Sequence, residues 1–484
     1  MGIIAKQSFY NFISIGLAFL LGAINTLYLY PTFLGSTRQG LVVAILALSN
    51  LLQPFLSFGV QHAIIKFYSS FEDKKDRDAL LNFSIFSPLL VVALVSAFFW
   101  FNYDLVVQFV AASNSGMGEY AFLILLVAIA TAYFEIFFSW LRVHLHSVFG
   151  NFLKEFYPRL LLLGLLTCYA LEVLNFNEFM LALLVGYYLR LLIVIGYSFK
   201  IYSPQIRFDL PKNFKSILTY SLWILMSGMA ASFILDIDKS MLSNLVAMEN
   251  VAYYSVALFI ATVVEAPGRA MFQIVSPLVA KAINKNDKMA LEQLLKKSSR
   301  NLLVVCSFIF LIINLNLEDF YALVNKPGYD SAILVVTIVS VGKLFSMSLG
   351  CLNNIIGNSK HFRYIMFFSI IAALMAVGLN MLWIPSMGLI GAAYATLVVI
   401  MFTNVLKIIL IYKYFKMHPF EWHTIKILLL VLGLYIIFGV LEIELAPIWA
   451  IVLRSIAITV LFSSVAYFWG LTDDIKFVAK KFLK

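Results

Sequence analysis

Apolar residues in this chain come in long runs, and the polar stretches between them are short. Roughly 14 runs of about 18 or more mostly apolar residues can be drawn, each long enough to cross a hydrocarbon core of about 30 Å as a helix. They fall at Phe9–Tyr30, Leu41–Ile65, Leu80–Phe101, Tyr120–Leu141, Tyr157–Leu174, Phe179–Phe199, Ser216–Leu235, Val251–Ser276, Arg300–Asn316, Ser331–Ile356, Phe362–Ile384, Leu389–Tyr412, Thr424–Val440 and Pro447–Trp469. The pattern predicts an all-α, polytopic membrane protein whose function lies inside the bilayer. The longest connector, Lys281 to Arg300, sets Met289, Leu291, Leu294 and Leu295 against Lys288, Lys296 and Lys297. That spacing predicts an amphipathic helix lying on the membrane surface.

Composition agrees: 62% of the residues are hydrophobic and 12% charged, against about 25% charged in soluble domains. Of the 35 Lys and Arg, 27 fall in connectors and ends on the N-terminal side of the spans. Only Arg38, Lys239 and Lys326 fall opposite. This asymmetry predicts cytoplasmic termini, and it accounts for the net charge of +10 by topology and contact with anionic membrane lipids. No basic soluble domain exists to bind nucleic acid. The first run is full-length and lacks a small-residue cleavage site, so it reads as an uncleaved span. Cys168, Cys306 and Cys351 sit in separate spans and read as core residues, with no disulfide framework and no metal set. His144 and His146 read as a solvated loop. No P-loop occurs and no connector is long enough for an ATP-binding domain, so no cofactor is expected and any driving energy comes from a gradient.

A polar pattern recurs at an offset of 212 residues. Asn50, Gln53, Ser57 and Gln61 in the second span match Thr262, Glu265, Arg269 and Gln273 in the eighth, each set on one helical face. The repeat predicts two six-span bundles, residues 1–200 and 201–415, with a final pair of spans in 416–484, and a site at the repeat interface.

Three elements carry a resemblance to a known family. They are Leu34-Gly35 through Gly40; Asp236 to Met241 with Asn250 to Ser255 and Ser276-Pro277; and Ile384-Pro385-Ser-Met-Gly388-Leu-Ile-Gly391-Ala-Ala-Tyr-Ala-Thr396. Together they resemble the Wzx-like polysaccharide (O-antigen) flippases of the multidrug/oligosaccharidyl-lipid/polysaccharide exporter superfamily. Ala252 departs from the glycine usual there. The resemblance implies a flippase that carries an undecaprenyl-diphosphate-linked oligosaccharide from the inner to the outer leaflet, with a polysaccharide polymerase and glycosyltransferases as companions and no covalent chemistry of its own. Physically the elements are turns and close helix contacts.

Charges at mid-span are costly and need a partner or a wet cavity. Arg269 and Glu265, four apart with the helix-bending Pro267 between them, are expected to pair and to face a hydrated cavity. There Arg269 meets an anionic headgroup, and the matching stripe Asn50, Gln53, Ser57 and Gln61 joins Thr262 and Gln273 in binding substrate. Arg190 and Lys343 are named with them, although the family scheme puts them on outer spans. Glu135 is expected to pair with a basic residue of its own bundle. Asp236 reads as solvated or paired with Lys239. Lys407 and Arg454 are expected to snorkel to a span end. The alternatives are a cation-coupled multidrug exporter, which favours acidic binding residues, and a lipid II flippase. A membrane-embedded glycosyltransferase would need a sizeable extramembrane domain that no connector supplies.

Overall fold

The expected spans fall on helical segments of the computed structural model, which describes residues 16–111, 114–144, 146–205, 209–441 and 443–471; of 115, 227–235, 270 and 273 it describes the backbone only, and the start of the expected span Phe9–Tyr30 lies outside the described residues. The described residues are helical with no strand, and ten helical segments are long and apolar enough to cross a membrane. The chain is therefore a multi-pass membrane protein. The expected fourteen spans do not appear as fourteen separate long helices. Tyr157–Leu174 falls on the shorter helix Tyr157–Ala170, Arg363–Phe415 holds two expected spans, and Gly16–Leu56 runs from the described part of the first expected span into the second, which continues past a break as Val60–Phe67.

The second of these long segments reverses direction inside itself. Gly388 breaks its helix with φ 58° and ψ −133°, a conformation that suits glycine. A Cβ on Gly391 would lie 2.3 Å from the Trp383 carbonyl oxygen; in a straight helix those residues are separated by about 12 Å. The legs 363–387 and 389–415 thus form a hairpin, each leg about 37–40 Å long. Ala392, Ala393 and Ala395 behind the turn are fully buried, as close helix approach in a membrane requires. The Ile384–Thr396 element is this turn.

Two compact units divide the chain, residues 1–252 and 253–484. In the first, a core around Trp140, Phe134, Ile64, Leu80 and Leu81 is flanked by a tight contact between the Gly35–Leu56 and Phe214–Leu245 helices. Glycines allow close backbone contacts beside the ends of this pair. A Cβ on Gly40 would lie 2.1 Å from the Met248 carbonyl oxygen, and one on Gly59 2.3 Å from that of Ser221. Gly59 also takes φ 69°, following Phe58 at φ 53°, so the chain breaks there before restarting as Val60–Phe67.

In the second unit, one core gathers Val264, Leu302, Leu303, Phe310 and Ile458, and another Val279, Leu291, Leu295 and Ile355. Lys288–Asn314 is one continuous helix. Its amphipathic start is therefore not a separate surface helix as expected: Leu291 and Leu295 are buried in the protein, because the turn at Asn286 folds this segment back onto Val279 and Ala282.

Candidate functional site

The expected bend near Pro267 appears one turn earlier. Proline has no N–H to give the carbonyl four residues back, so Ala266 N–H bonds Val263 O instead and Val263–Glu265 becomes a 3₁₀ turn. The interruption holds Glu265 at the start of the Ala266–Asn284 helix. Its Oε1 accepts from Arg269 Nη2 at 3.3 Å, and its Oε2 meets Lys343 Nζ at 2.9 Å. One carboxylate thus serves two cations, and the cluster keeps a net positive charge. Side-chain exposure distinguishes the members: Glu265 is 20% and Lys343 18% exposed, whereas Arg269 is 54% exposed. Arg269 is the group free to reach outward.

Lys343, which the family scheme puts on an outer span, is joined to Glu265 by this contact. The pair also predicts a mutational asymmetry. Removing one partner of a buried ion pair costs about 3–5 kcal/mol, less here because each partner is about one-fifth exposed. Glu265→Ala should therefore lower the melting temperature and the accumulated amount of purified protein, and Lys343→Met in the same chain should restore much of both. A Glu265→Ala protein that melts like wild type would show that the carboxylate does not hold Lys343 in place.

The remaining expected site residues divide between the two units. Thr262 Oγ1 donates to the Phe259 carbonyl at 2.7 Å, and Gln273 lies in the Ala266–Asn284 helix with its side chain outside the described residues. In the first unit, Asn50 Nδ2 donates to Asp236 Oδ2 at 3.1 Å, and Lys239 Nζ to Asp236 Oδ1 at 2.8 Å. Asp236 is thus paired with Lys239, as one of its two expected readings had it, and bonded to Asn50 as well. Gln53 Nε2 donates to Ser57 Oγ at 3.4 Å, and Ser57 is fully buried with its hydroxyl on the Pro54 carbonyl. Gln61 is 8% exposed, and its buried Oε1 has no hydrogen-bond partner among the described residues. Ser57 and Gln61 face protein rather than an open cavity, because the glycine-mediated contact with the Phe214–Leu245 helix closes over this stretch.

Arg190 is only 5% exposed, between the rings of Phe134 and Tyr187 at 4.3 and 4.7 Å. Its Nε and Nη2 have no hydrogen-bond partner among the described residues. Ring faces offset part of its charge, but it presents no surface to a headgroup in this conformation. Glu135 meets Lys154 Nζ at 2.7 Å, the partner within its bundle that was expected.

Two expectations are corrected. Arg454 does not snorkel: it is 9% exposed, bonds the Leu315 carbonyl at 2.9 Å and pairs with Asp319 at 2.5 Å. A nearby carboxylate with which the helix can pack is a better solution than stretching to the interface. Sequence reasoning missed Asp319 because it lies 135 residues away. His144 is not simply solvated. Its Nε2 lies 2.9 Å from Tyr68 Oη and its Nδ1 2.9 Å from the Trp140 carbonyl, and burial holds the imidazole below its usual pKa. Cys168, Cys306 and Cys351 are free thiols, the latter two buried. Among the described residues no group of three His, Cys, Asp or Glu side chains is placed to hold a metal.

Two of the sequence elements behind the family resemblance touch. Tyr254 Oη and Thr396 Oγ1 lie 3.3 Å apart, so the Asn250–Ser255 and Ile384–Thr396 elements meet within the second unit.

Comparison with known proteins places this arrangement. The chain is similar in structure to a lipid II flippase, MurJ, in an inward closed conformation, with a TM-score of 0.69 and 16% identity over 96% of this chain and 99% of that one. It is also similar to an inward-facing multidrug resistance transporter of the MATE family in the MOP superfamily, with a TM-score of 0.60 and 14% identity over 85% and 94%. A Vibrio cholerae MATE transporter gives 0.53 and 11% over 85% and 99%. At these identities the likeness establishes the fold, which is that of flippases and transporters. No curated protein sequence matches significantly. A family model described as polysaccharide biosynthesis protein matches residues 4–267, more than half of the chain. The resemblance read from the three sequence elements is thereby borne out, and the chain belongs to the polysaccharide biosynthesis protein family, with the helical fold of MOP-superfamily flippases and transporters.

Proposed function

We propose that the protein is a flippase that moves an undecaprenyl-diphosphate-linked oligosaccharide from the inner to the outer leaflet of a bacterial plasma membrane. The observation that carries this reading is the Arg269–Glu265–Lys343 cluster: two cations share one carboxylate, and the guanidinium is the exposed member. A diphosphate needs a cationic partner that a drug cation would avoid, and a guanidinium presents two parallel N–H groups to it. Membership of a polysaccharide biosynthesis family supports the same substrate class. The lipid tail stays in the bilayer while the headgroup meets Arg269, and no covalent bond changes. A polymerase and glycosyltransferases are the partners this role implies.

The test is transport by the purified chain in proteoliposomes. It should accelerate the appearance in the opposite leaflet of an undecaprenyl-diphosphate oligosaccharide, and it should not expel a cationic dye under an ion gradient. Dye export without movement of the glycan lipid would overturn the proposal in favour of a multidrug exporter. Movement of lipid II alone would narrow the substrate to the peptidoglycan precursor.

Orientation belongs to the same proposal. From the distribution of Lys and Arg, a reporter fused after Lys75 or Lys288 should behave as cytoplasmic, and one after Asn114 or Gly328 as external. A cytoplasmic signal at Asn114 would contradict both the orientation and the span count in the first half.

A further inference from the structure

Away from Arg269, the junction of two long helices in the second unit forms a basic cavity that the transport reading does not use. The Ala266–Asn284 helix ends in a turn with Asn286 at φ 53°. Asn286 N–H bonds the Ile283 carbonyl and Asp287 N–H the Ala282 carbonyl, at 3.0 and 2.9 Å, which satisfies the last carbonyls of the helix. The Lys288–Asn314 helix then starts back along it. Between them opens a cavity of about 380 Å³ lined by Leu278, Lys281 and Lys285 from the first helix, Leu294 and Lys297 from the second, and Asp287 at the turn.

The lining has two characters. Lys281 in the last turn and Lys285 at the cap, still in helical conformation, stand four apart and so share a face, and Lys297 adds a third ammonium from the other helix. Lys281 and Lys285 have no carboxylate within 4 Å among the described residues. Asp287 does not neutralise Lys281 or Lys285 by contact: its Oδ1 accepts the Ala290 N–H at 3.0 Å as a helix cap. Lys296 beside them is committed to Glu292 at 2.7 Å. The apolar character comes from Leu294 and from Leu278, which is 47% exposed. A soluble anion has no use for an exposed leucine, whereas an acylated one does.

We propose that this cavity binds the phosphate headgroup of an anionic phospholipid, with the lysine ammonium groups around the phosphate and the start of an acyl chain along Leu278 and Leu294. Basic pockets beside membrane helices take such headgroups by charge and desolvation together, and the volume suits one. The bound lipid adds a contact between the end of the Arg269-bearing helix and the start of the next, beside the apolar packing of Val279 and Ala282 against Leu291 and Leu295.

The experiment uses the full chain in phosphatidylcholine nanodiscs doped with fluorescent phosphatidylglycerol. Lys281→Gln/Lys285→Gln/Lys297→Gln should weaken specific phosphatidylglycerol binding by on the order of tenfold or more, with the melting temperature in detergent unchanged. A control that removes equal charge elsewhere, Lys360→Gln/Lys413→Gln/Lys416→Gln, should bind as wild type does. Lys281→Arg/Lys285→Arg should keep binding, and it serves as the folded comparison if the triple variant is unstable. Equal loss in the control would overturn the proposal, since affinity would then follow net charge rather than the cavity. Titration with inorganic phosphate separates the two sources of the anion: phosphate that displaces the lipid at equal concentration would mark a free-anion site, and the lipid assignment would fail.

Discussion

Replacing Arg269 with alanine is expected to abolish measurable glycan-lipid transport while the protein still inserts and accumulates. A hydrogen bond to a charged group contributes about 1.5–3 kcal/mol, so losing the exposed guanidinium lowers the rate by about 10- to 100-fold if a single bond is involved, and further if both arms engage the diphosphate. Arg269→Lys should retain part of the activity, because the charge survives while the two-pronged geometry does not. Insertion is preserved because Arg269 is the most exposed member of its cluster, and Lys343 keeps Glu265 neutralised at 2.9 Å without it. Glu265→Gln divides the roles within the cluster. Near-normal transport would make the carboxylate a counter-ion that positions two cations, whereas transport lost with binding retained would mark it as a proton carrier. Wild-type transport by Arg269→Ala would remove the headgroup site from this cluster. Lys343, tied to the same carboxylate, would go with it, and Arg190 would qualify only after a conformational change that uncovers it.

The second large effect is expected at Gly40. Its absent side chain lets the Met248 carbonyl oxygen come to 2.1 Å from where a Cβ would sit, and both atoms facing it first are backbone. Backbone cannot rotate away as a flexible side chain does, so Gly40→Val must push the Gly35–Leu56 helix off the segment around Met248. Overpacking of this kind costs about 1–3 kcal/mol, and the displacement also strains the bond from Thr37 Oγ1 to Glu249 at 2.6 Å. A lower melting temperature and reduced yield are expected. Gly164→Ala is the matched control: nothing lies within 4 Å of its added Cβ, and alanine is the better helix former by about 1 kcal/mol. Equal melting temperatures for Gly40→Val and Gly164→Ala would show that the helices do not approach as described.

Much of the fold was legible because hydropathy acts on each segment by itself. A run of apolar residues must satisfy its backbone internally wherever it lies in a bilayer, so the spans and their helical state follow from local composition. The turns were legible for a similar reason: Gly35, Gly388 and Pro267 impose local backbone conditions that no distant contact has to supply. The pairing of Glu265 with Arg269 was legible too, since residues four apart on a helix are neighbours by construction.

What the sequence by itself determined is therefore the helical, membrane-spanning character of the apolar runs, the family elements and the short-range ion pair. Tertiary structure decided which faces of those helices are wet. Between apolar helices in lipid there is little hydrophobic bias to choose a contact face, so the rotation of each helix is set by glycine contacts and polar pairs that join distant residues. Lys343 reaches Glu265, and Arg454 finds Asp319, only because packing brings their helices together. Ser57 and Arg190 carried the same polar signal as Arg269 in the sequence, yet packing buries the first two and leaves the guanidinium of the third exposed.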